Sequence, residues 1–386
     1  MANISQRADV IVIGAGILGA FHDYFAALKG LRVLLLERNA LPNDASVRNF
    51  GMVPQSIVDP LGEWASFAKD TAGIYRELQD RHDISVSERG SLYVASTDLE
   101  SQVLQEFAQH FSHRYRCRFL SPGEVPEHYP LIQDTYVRGG LLFPEDLGLD
   151  PRLLMAQLLQ YLGALGVEYA PYSNVLGVDI HGNTCTIQTA DGLSYEANRV
   201  FLCSGADGIT LFPEVFASSG LRVCKLQMMR TVPLQKVSLR HSLLSGLSIR
   251  RYPAFTSCPS YPLLQAEAMD EKLRAYGIHV LIKQEADGSS VIGDSHQYAS
   301  ISDASSLHER TDSDINESVL GYARSMVHLP SWQLQSLWNG YYLVHPTDPI
   351  FATTIGRRIH IVTGIGGKGM STGPGFARHS IKAVFG

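Results

Sequence analysis

Hydrophobic positions along the chain change period from stretch to stretch, and the period names the element. Asp9-Val-Ile-Val-Ile13 is an apolar run of strand length that passes straight into Gly14-Ala-Gly16-Ile17-Leu18-Gly19, and the residues to Lys29 then read as a helix. A second run, Leu31-Arg-Val-Leu-Leu-Leu36, ends on Glu37. Trp64, Phe67, Ala68, Thr71, Ile74, Tyr75 and Leu78 recur at helical spacing and mark one buried face. Gly90–Ala95 reads as a strand and Glu100–Phe111 as a helix. Asp150-Pro151 supplies a capping residue and a first-turn proline to a helix whose Leu153, Leu154, Leu158, Tyr161, Leu162 and Leu165 should face a core. Between Val167 and Cys203, short β-rich runs are separated by His181-Gly182-Asn183 and Asp191-Gly192, which are hairpin signals. His279–Gln284 and Val291–Gly293 flank another turn. Ile315, Val319, Tyr322, Ala323 and Met326 mark an amphipathic helix stopped by Pro330, and Arg358–Thr363 is a strand before Gly364-Ile-Gly366-Gly367-Lys368-Gly369-Met370, with a short helix expected from Pro374.

The first forty residues form a complete βαβ unit with a dinucleotide fingerprint. Gly14 permits the tight turn, Gly16 lets backbone approach a pyrophosphate at the helix N-terminus formed by Ile17 and Leu18, and Gly19 lets the helix lie close to the strand. Glu37, roughly 20 residues on, is placed to accept hydrogen bonds from a ribose. The run that ends at Ser204-Gly205 suits close approach to a nucleotide, although a plain turn has the same composition. The second glycine loop, feeding a helix, can point amides at partial negative charge.

Composition narrows the classes that remain. A chain of 386 residues with 45% hydrophobic and 18% charged residues has the balance of a globular protein able to bury a large core in two domains. Its net charge of -6 argues against a nucleic-acid surface, which needs clustered Lys and Arg. No apolar run approaches the roughly 18 residues of a membrane span. The five cysteines form no CxxC pair and lie beside no histidine cluster, so no metal centre is expected, and their odd number fits a reducing compartment. The first strand begins within ten residues, which leaves no room for a signal peptide; a cytoplasmic location is the expectation. No repeat or low-complexity linker is present, so the domains should be interleaved.

The fingerprint with Glu37, the Ser46-Val-Arg48-Asn49-Phe-Gly51-Met52 loop, the strand ending in Gly205, Trp338-Asn-Gly340 and the terminal strand-loop-helix together resemble the D-amino-acid oxidase, glycine oxidase and sarcosine oxidase family, in order and over nearly the whole chain. Ser46 to Met52 and Gly293-Asp-Ser-His296 look most like a glycine-oxidase-like subgroup associated with aminophosphonate breakdown. The resemblance implies an α/β fold in which an FAD-binding Rossmann-like domain of the glutathione-reductase type (residues 1–84, 145–222 and 335–386) is interleaved with a mixed β-sheet substrate domain (85–144 and 223–334). By similarity, Gly14, Gly16 and Gly19 would carry the pyrophosphate, Glu37 and Arg38 the adenosine end, and Val175 the adenine. Asn49, Gly51 and Met52 would lie against the flavin ring, and Gly366, Gly367, Lys368, Gly369, Met370 and Ser371 would face the flavin N1 and C2 carbonyl. The implied chemistry is hydride transfer from an amine-bearing carbon to flavin N5, with oxygen as acceptor and hydrogen peroxide, a carbonyl compound and a free amine as products. No cysteine follows Trp338, so the FAD should be noncovalent.

One position departs from the family pattern. Where relatives acting on α-amino acids carry an arginine shortly after Trp-x-Gly, this chain has Tyr342, and one phenol does not replace a bidentate guanidinium. Arg48 and Lys368 become the candidates for meeting a substrate anion, with His279, Tyr342 and His345 as hydrogen-bonding partners and His296 as a contact or packing residue. Each has a bland alternative: Arg48 could pair with backbone, Lys368 could serve the flavin alone, and a histidine could be a satisfied core residue. The expected activity is oxidation of a small amine or N-alkylated amine bearing an acidic group. A glycine- or sarcosine-type oxidase, a dehydrogenase using another acceptor, and a flavin-bearing assembly subunit stand as alternatives; the oligomeric state is left open.

Overall fold

In the computed structural model, which describes residues 4–386, two large sheets and one small one organise the chain. Ile4–Ile13 is central to the first, parallel to Val33–Leu36 on one side and to Ser194–Leu202 on the other. Val10, Ile11 and Val12 are wholly buried, because helices and neighbouring layers cover both faces of a parallel strand; this is why the run is continuously apolar and not alternating. The sheet continues through Glu168–Ala170 at one edge and through the antiparallel ladder of Thr184–Thr189 and Val175–His181 at the other. Ile359–Thr363 joins Ser194–Leu202 in parallel, so a late segment completes the sheet begun by the earliest one.

The nine-stranded second sheet contains Ser91–Ala95, Gly139–Phe143, Arg222–Thr231, Leu281–Gln284, Ser290–Gly293 and Leu334–Val344, among others. Leu334–Val344 pairs along nearly its whole length with Arg222–Thr231, so the Trp338-Asn-Gly340 motif sits in the second sheet. The expected boundary at residue 335 thus falls at the start of a strand of the second sheet. The small sheet pairs Leu147–Leu149 with Met52–Val53 on one side and with Val86–Glu88 on the other.

Helix Trp64–Arg81 buries the predicted stripe, and Asp150 caps Pro151–Ala164 by accepting from the amides of Arg152 and Leu153 at 2.9 and 3.2 Å. Leu153 corrects the predicted core face: it is 52% exposed, since the stripe of Leu154, Leu158 and Leu162 already fills the contact. The last helix also differs. It spans Gly369–Phe385 and carries Pro374 inside it, because its glycines are there for packing. A Cβ at Gly375 would lie 2.3 Å from the carbonyl oxygen of Phe67, and the Gly375 amide donates to Thr71 Oγ1 at 3.0 Å. The helix therefore lies directly on Trp64–Arg81, at a distance no larger residue allows.

Candidate active site

The glycine turn is built by close approach. Gly14 has φ +98°, and a Cβ there would meet the Cys203 carbonyl oxygen at 2.4 Å; a Cβ at Gly19 would meet the Gly14 carbonyl oxygen at 1.9 Å. Helix Ile17–Leu28 thus starts against the ends of two parallel strands, with Gly16 as its cap. Ile17 donates its amide to Ser46 Oγ at 2.9 Å, whereas the amides of Leu18 and Gly19 find no acceptor among the described residues. Free amides at a helix N-terminus are donors for phosphate. Glu37, buried at the end of the second strand, accepts from the Ala15 amide at 2.9 Å and from the Asn39 amide and side chain at 3.0 and 3.1 Å. Arg38 pairs with Asp207 at 3.0 Å, Ser204 Oγ donates to the Asp207 carbonyl, and the Gly205 carbonyl accepts from Thr363 Oγ1 at 2.7 Å. Val175 is buried in the core cluster that contains Leu34 and Leu36 and is not part of the cavity wall.

A cavity of about 620 Å³ runs from this turn to the second sheet, and Gly16, Ile17, Leu18, Ser46, Arg48, Asn49, Met52, Gly205 and Gly366–Ser371 line it. Glycine again shapes the far wall: Gly364 and Gly366 have φ of +68° and +65°. Lys368 stands 5.7 Å over the Trp64 ring, and burial pulls its ammonium down to a pKa of about 8. Three loop residues also hold the loop's own shape. Asn49 uses its amide to donate to the Ala45 and Ser46 carbonyls and to accept from Gly51 N, which shapes the loop. Gly51, at φ +65°, packs on Leu149, where a Cβ would come within 2.0 Å of the carbonyl oxygen, and it is not on the cavity wall. Arg48 donates Nε to the Asn43 carbonyl at 2.6 Å and Nη1 to the Asn339 carbonyl at 3.1 Å, so its guanidinium clamps the loop to the Trp338 strand.

A different arginine faces the chamber. Arg251 ends the short helix Gly246–Arg251 and donates from Nη2 to the Tyr298 hydroxyl at 3.1 Å; among the described residues no carboxylate lies within ion-pair distance of it. Burial opposes its charge, but the hydrogen bond to the Tyr298 hydroxyl and the nearby Asp294 carboxylate favour it, and the guanidinium stays protonated. Its neighbour Arg250 has the opposite fate, tied to Glu100 at 2.8 Å and to Glu267. Sequence reading passed over Arg251 because two adjacent arginines in an aperiodic segment give no sign of which one turns inward.

Tyr342, in register with Cys224 across the strand pair, reaches the Gly367 side of the chamber, where its hydroxyl would lie 3.4 Å from a Cβ on that glycine. Burial pushes its phenol well above the usual range, so it remains a neutral donor. His279 is buried, with Nδ1 3.1 Å from Ser248 Oγ and Nε2 2.9 Å from Asp294 Oδ1. His296 directs Nδ1 to the Gly277 carbonyl at 3.0 Å and lies 3.8 Å from the same Asp294 oxygen. Burial holds both imidazoles neutral, His296 at about 3. Their ligand atoms and that of Asp294 fall within 4.8 Å of one another, but the Arg251 guanidinium beside them opposes a metal cation, and the trio suits proton handling instead. His345 is at the rim, where Nδ1 accepts from the Asp348 amide at 2.9 Å.

Free amides at one end of the cavity, a carboxylate beyond the turn and a donor-rich glycine loop at the other end fit an extended dinucleotide such as FAD, with the polar chamber left for a substrate. The fold and site together define a dinucleotide-dependent oxidoreductase. The chain belongs to the family described as FAD dependent oxidoreductase (DAO), which matches residues 9–382; FAD is that family's cofactor. Relatives include glycine oxidase of Geobacillus kaustophilus, 25% identical over 53% of this chain and 56% of the relative. L-2-hydroxyglutarate dehydrogenase of Escherichia coli is 24% identical over 56% and 52%, and mitochondrial sarcosine dehydrogenase of Mus musculus is 25% identical over 62% and 25%. The matches thus span about half or less of those relatives' lengths. Among solved structures, the Geobacillus kaustophilus glycine oxidase superposes with a TM-score of 0.77 at 18% identity over 98% of this chain and 95% of the other, and L-proline dehydrogenase from P. horikoshii with 0.79 at 16% over 98% and 94%. These likenesses establish the fold. No helix of the described residues is long and apolar enough to cross a membrane.

Proposed function

We propose that the chain is an FAD-dependent oxidase of small primary or N-alkylated amines that carry an acidic group, with aminophosphonates such as an N-methylated aminoethylphosphonate preferred. The observation that carries this reading is Arg251, a buried-side guanidinium without a carboxylate partner, directed at the chamber that adjoins the cofactor cavity. Asp294 offsets that charge only from beyond ion-pair distance, which leaves the guanidinium on the chamber wall open to an anion from outside the chain. Tyr298 accepts from Arg251 and keeps its own hydroxyl proton to donate onward, and Tyr342 offers a second phenol. Arginine fork and separated hydroxyls together suit the three oxygens of a phosphonate better than the two of a carboxylate. Bound FAD supplies the two-electron acceptance that converts the amine carbon to an imine, and reoxidation by oxygen yields hydrogen peroxide. The protein's share is to hold the acidic group, aim the amine carbon and exclude water.

A panel of glycine, sarcosine, neutral amines and aminophosphonates, read by peroxide formation, tests the reading. Phosphonate-bearing amines should turn over fastest at low concentration. Failure of every amine to bleach the flavin anaerobically would remove the proposal. Two of the relatives are dehydrogenases, which motivates a second reading with a non-oxygen acceptor; rapid dye reduction with slow oxygen consumption would favour it.

A further inference from the structure

His279, Asp294 and His296 form a buried group on the wall of the substrate chamber for which holding an anion leaves no obvious role. An amine bearing an acid reaches neutral solution as an ammonium ion, and a carbon beside an ammonium cannot be oxidised to an imine until the nitrogen has recovered its electron pair. Either the scarce neutral fraction is bound, or a proton acceptor inside the chamber takes the proton from the ammonium.

His296 has the features of one. A backbone carbonyl can only accept, so the contact from Nδ1 to Gly277 O fixes the proton on Nδ1 and leaves Nε2 with its lone pair. Among the described residues that Nε2 has no hydrogen-bond partner. The Asp294 carboxylate lies behind the ring, 3.8 Å from Nδ1, and its Oδ1 is buried without a hydrogen bond of good geometry, so it can respond to a charge that arrives on the imidazole. His279, whose ring centroid is 5.2 Å from that of His296, holds the carboxylate from the other side.

We propose that Nε2 of His296 accepts the proton of the substrate ammonium, and that docking of the substrate's acidic group on Arg251 primes the transfer. The inference rests on the substrate reading given above. In the step, one N–H bond of the ammonium breaks and its electron pair stays on nitrogen, while one N–H bond forms at Nε2. No electron leaves either partner, and the imidazolium charge faces Asp294. The priming follows from the surroundings. The groups around His296 are Arg251 and Tyr252 from the short helix and its end, His279 and Asp294 from the facing strand ends, Tyr298 two residues on, and Tyr342 with Cys224 across the chamber. After burial, Arg251 is the largest influence against a proton on His296. An anion that neutralises Arg251 lifts that influence. Amines without an acidic group leave it in place, so the acid group would act in proton transfer as well as in binding.

The test uses FAD-loaded protein labelled with ¹⁵N-histidine and ethylphosphonate, an anion with no amine to oxidise. Saturation should move the His296 protonation midpoint upward by about one pH unit or more, and R251M should abolish the movement. In stopped-flow reduction by an aminophosphonate, wild type should keep its rate below the pKa of the free amine. H296N should instead follow the neutral amine, gaining about tenfold per pH unit. If H296N does not fold, the wild-type midpoint and its dependence on Arg251 decide. Ethylphosphonate that binds without moving the midpoint overturns the inference and leaves the oxidase reading standing, whereas absence of reduction by any amine removes both. Stoichiometric zinc bound by wild type and lost in D294N would make the trio a chelate and also overturn it.

Discussion

Arg250 and Arg251 are chemically identical neighbours whose surroundings give them unrelated tasks. Arg250 is held by Glu100, a carboxylate that also closes the capping box of helix Asp98–Phe111, so its replacement by alanine strands a buried acid. We expect R250A to lower stability by about 3 kcal/mol, read as a drop in denaturant midpoint. Arg251 carries no such partner. Changing it to methionine should leave the melting temperature nearly unchanged and raise KM for acidic amines by roughly 10- to 100-fold, with little effect on neutral amines, as expected for loss of a charge-assisted contact worth about 1.5–3 kcal/mol. Asp146 provides a titration at a distance from the chemistry. It is buried, accepts from Ser91 Oγ and from the Gln55 amide, and burial raises its pKa from 3.8 to about 7. Between those two values the folded chain holds a proton that the unfolded chain has released. Stability contributed by this group is therefore greatest at acid pH and declines as pH rises from about 4 to 7. D146N should flatten that part of the profile of melting temperature against pH.

At the scale of elements, glycine decides how close helices and strands approach. Gly375 on Gly369–Phe385 meets the Phe67 carbonyl, and Gly19 meets that of Gly14. G375A should cost about 1–3 kcal/mol through forced separation of the two helices, measured by thermal melting, and should loosen FAD because Met370 and Ser371 ride on the same helix. What could be read in the sequence divides along the same line. The βαβ unit was legible because period, turn glycines and terminal acid all lie within forty residues. The hairpins around Gly182 and Gly192 were legible because both turns demand positive φ, and both have it. The start of the last helix was not, since Gly369 and Gly373, which looked like loop residues, are helical and pack against Ile17 and Leu18 far away in the sequence and Ile365 just before the helix. The Trp-x-Gly motif singled out Tyr342, and the fold brings its hydroxyl to Gly367. The role of Arg48 was less visible, because its acceptors are backbone carbonyls, one of them at Asn339, that no side-chain pattern announces.

For the whole molecule, the cavity lies where the parallel sheet, the second sheet and the last helix converge. Of the described cysteines only Cys203 lines the cavity, and none lies in the Gly366–Ser371 loop, so a noncovalent cofactor is the expectation. Acid denaturation and filtration of yellow protein should release all of the flavin, and colour retained in the precipitate would contradict this. The parallel pairing of Ile359–Thr363 with Ser194–Leu202, and the seating of Gly369–Phe385 on Trp64–Arg81, also order events in time. A ribosome delivers the opening βαβ unit long before the segments that enclose it, so the emerging chain must keep its apolar strand edges from other chains until Ile359–Thr363 and Gly369–Phe385 have emerged. Maturation would then be a single event that waits on those segments: chains stalled before residue 359 should emerge colourless and bound by chaperones, and added flavin should rescue only those released beyond helix Gly369–Phe385.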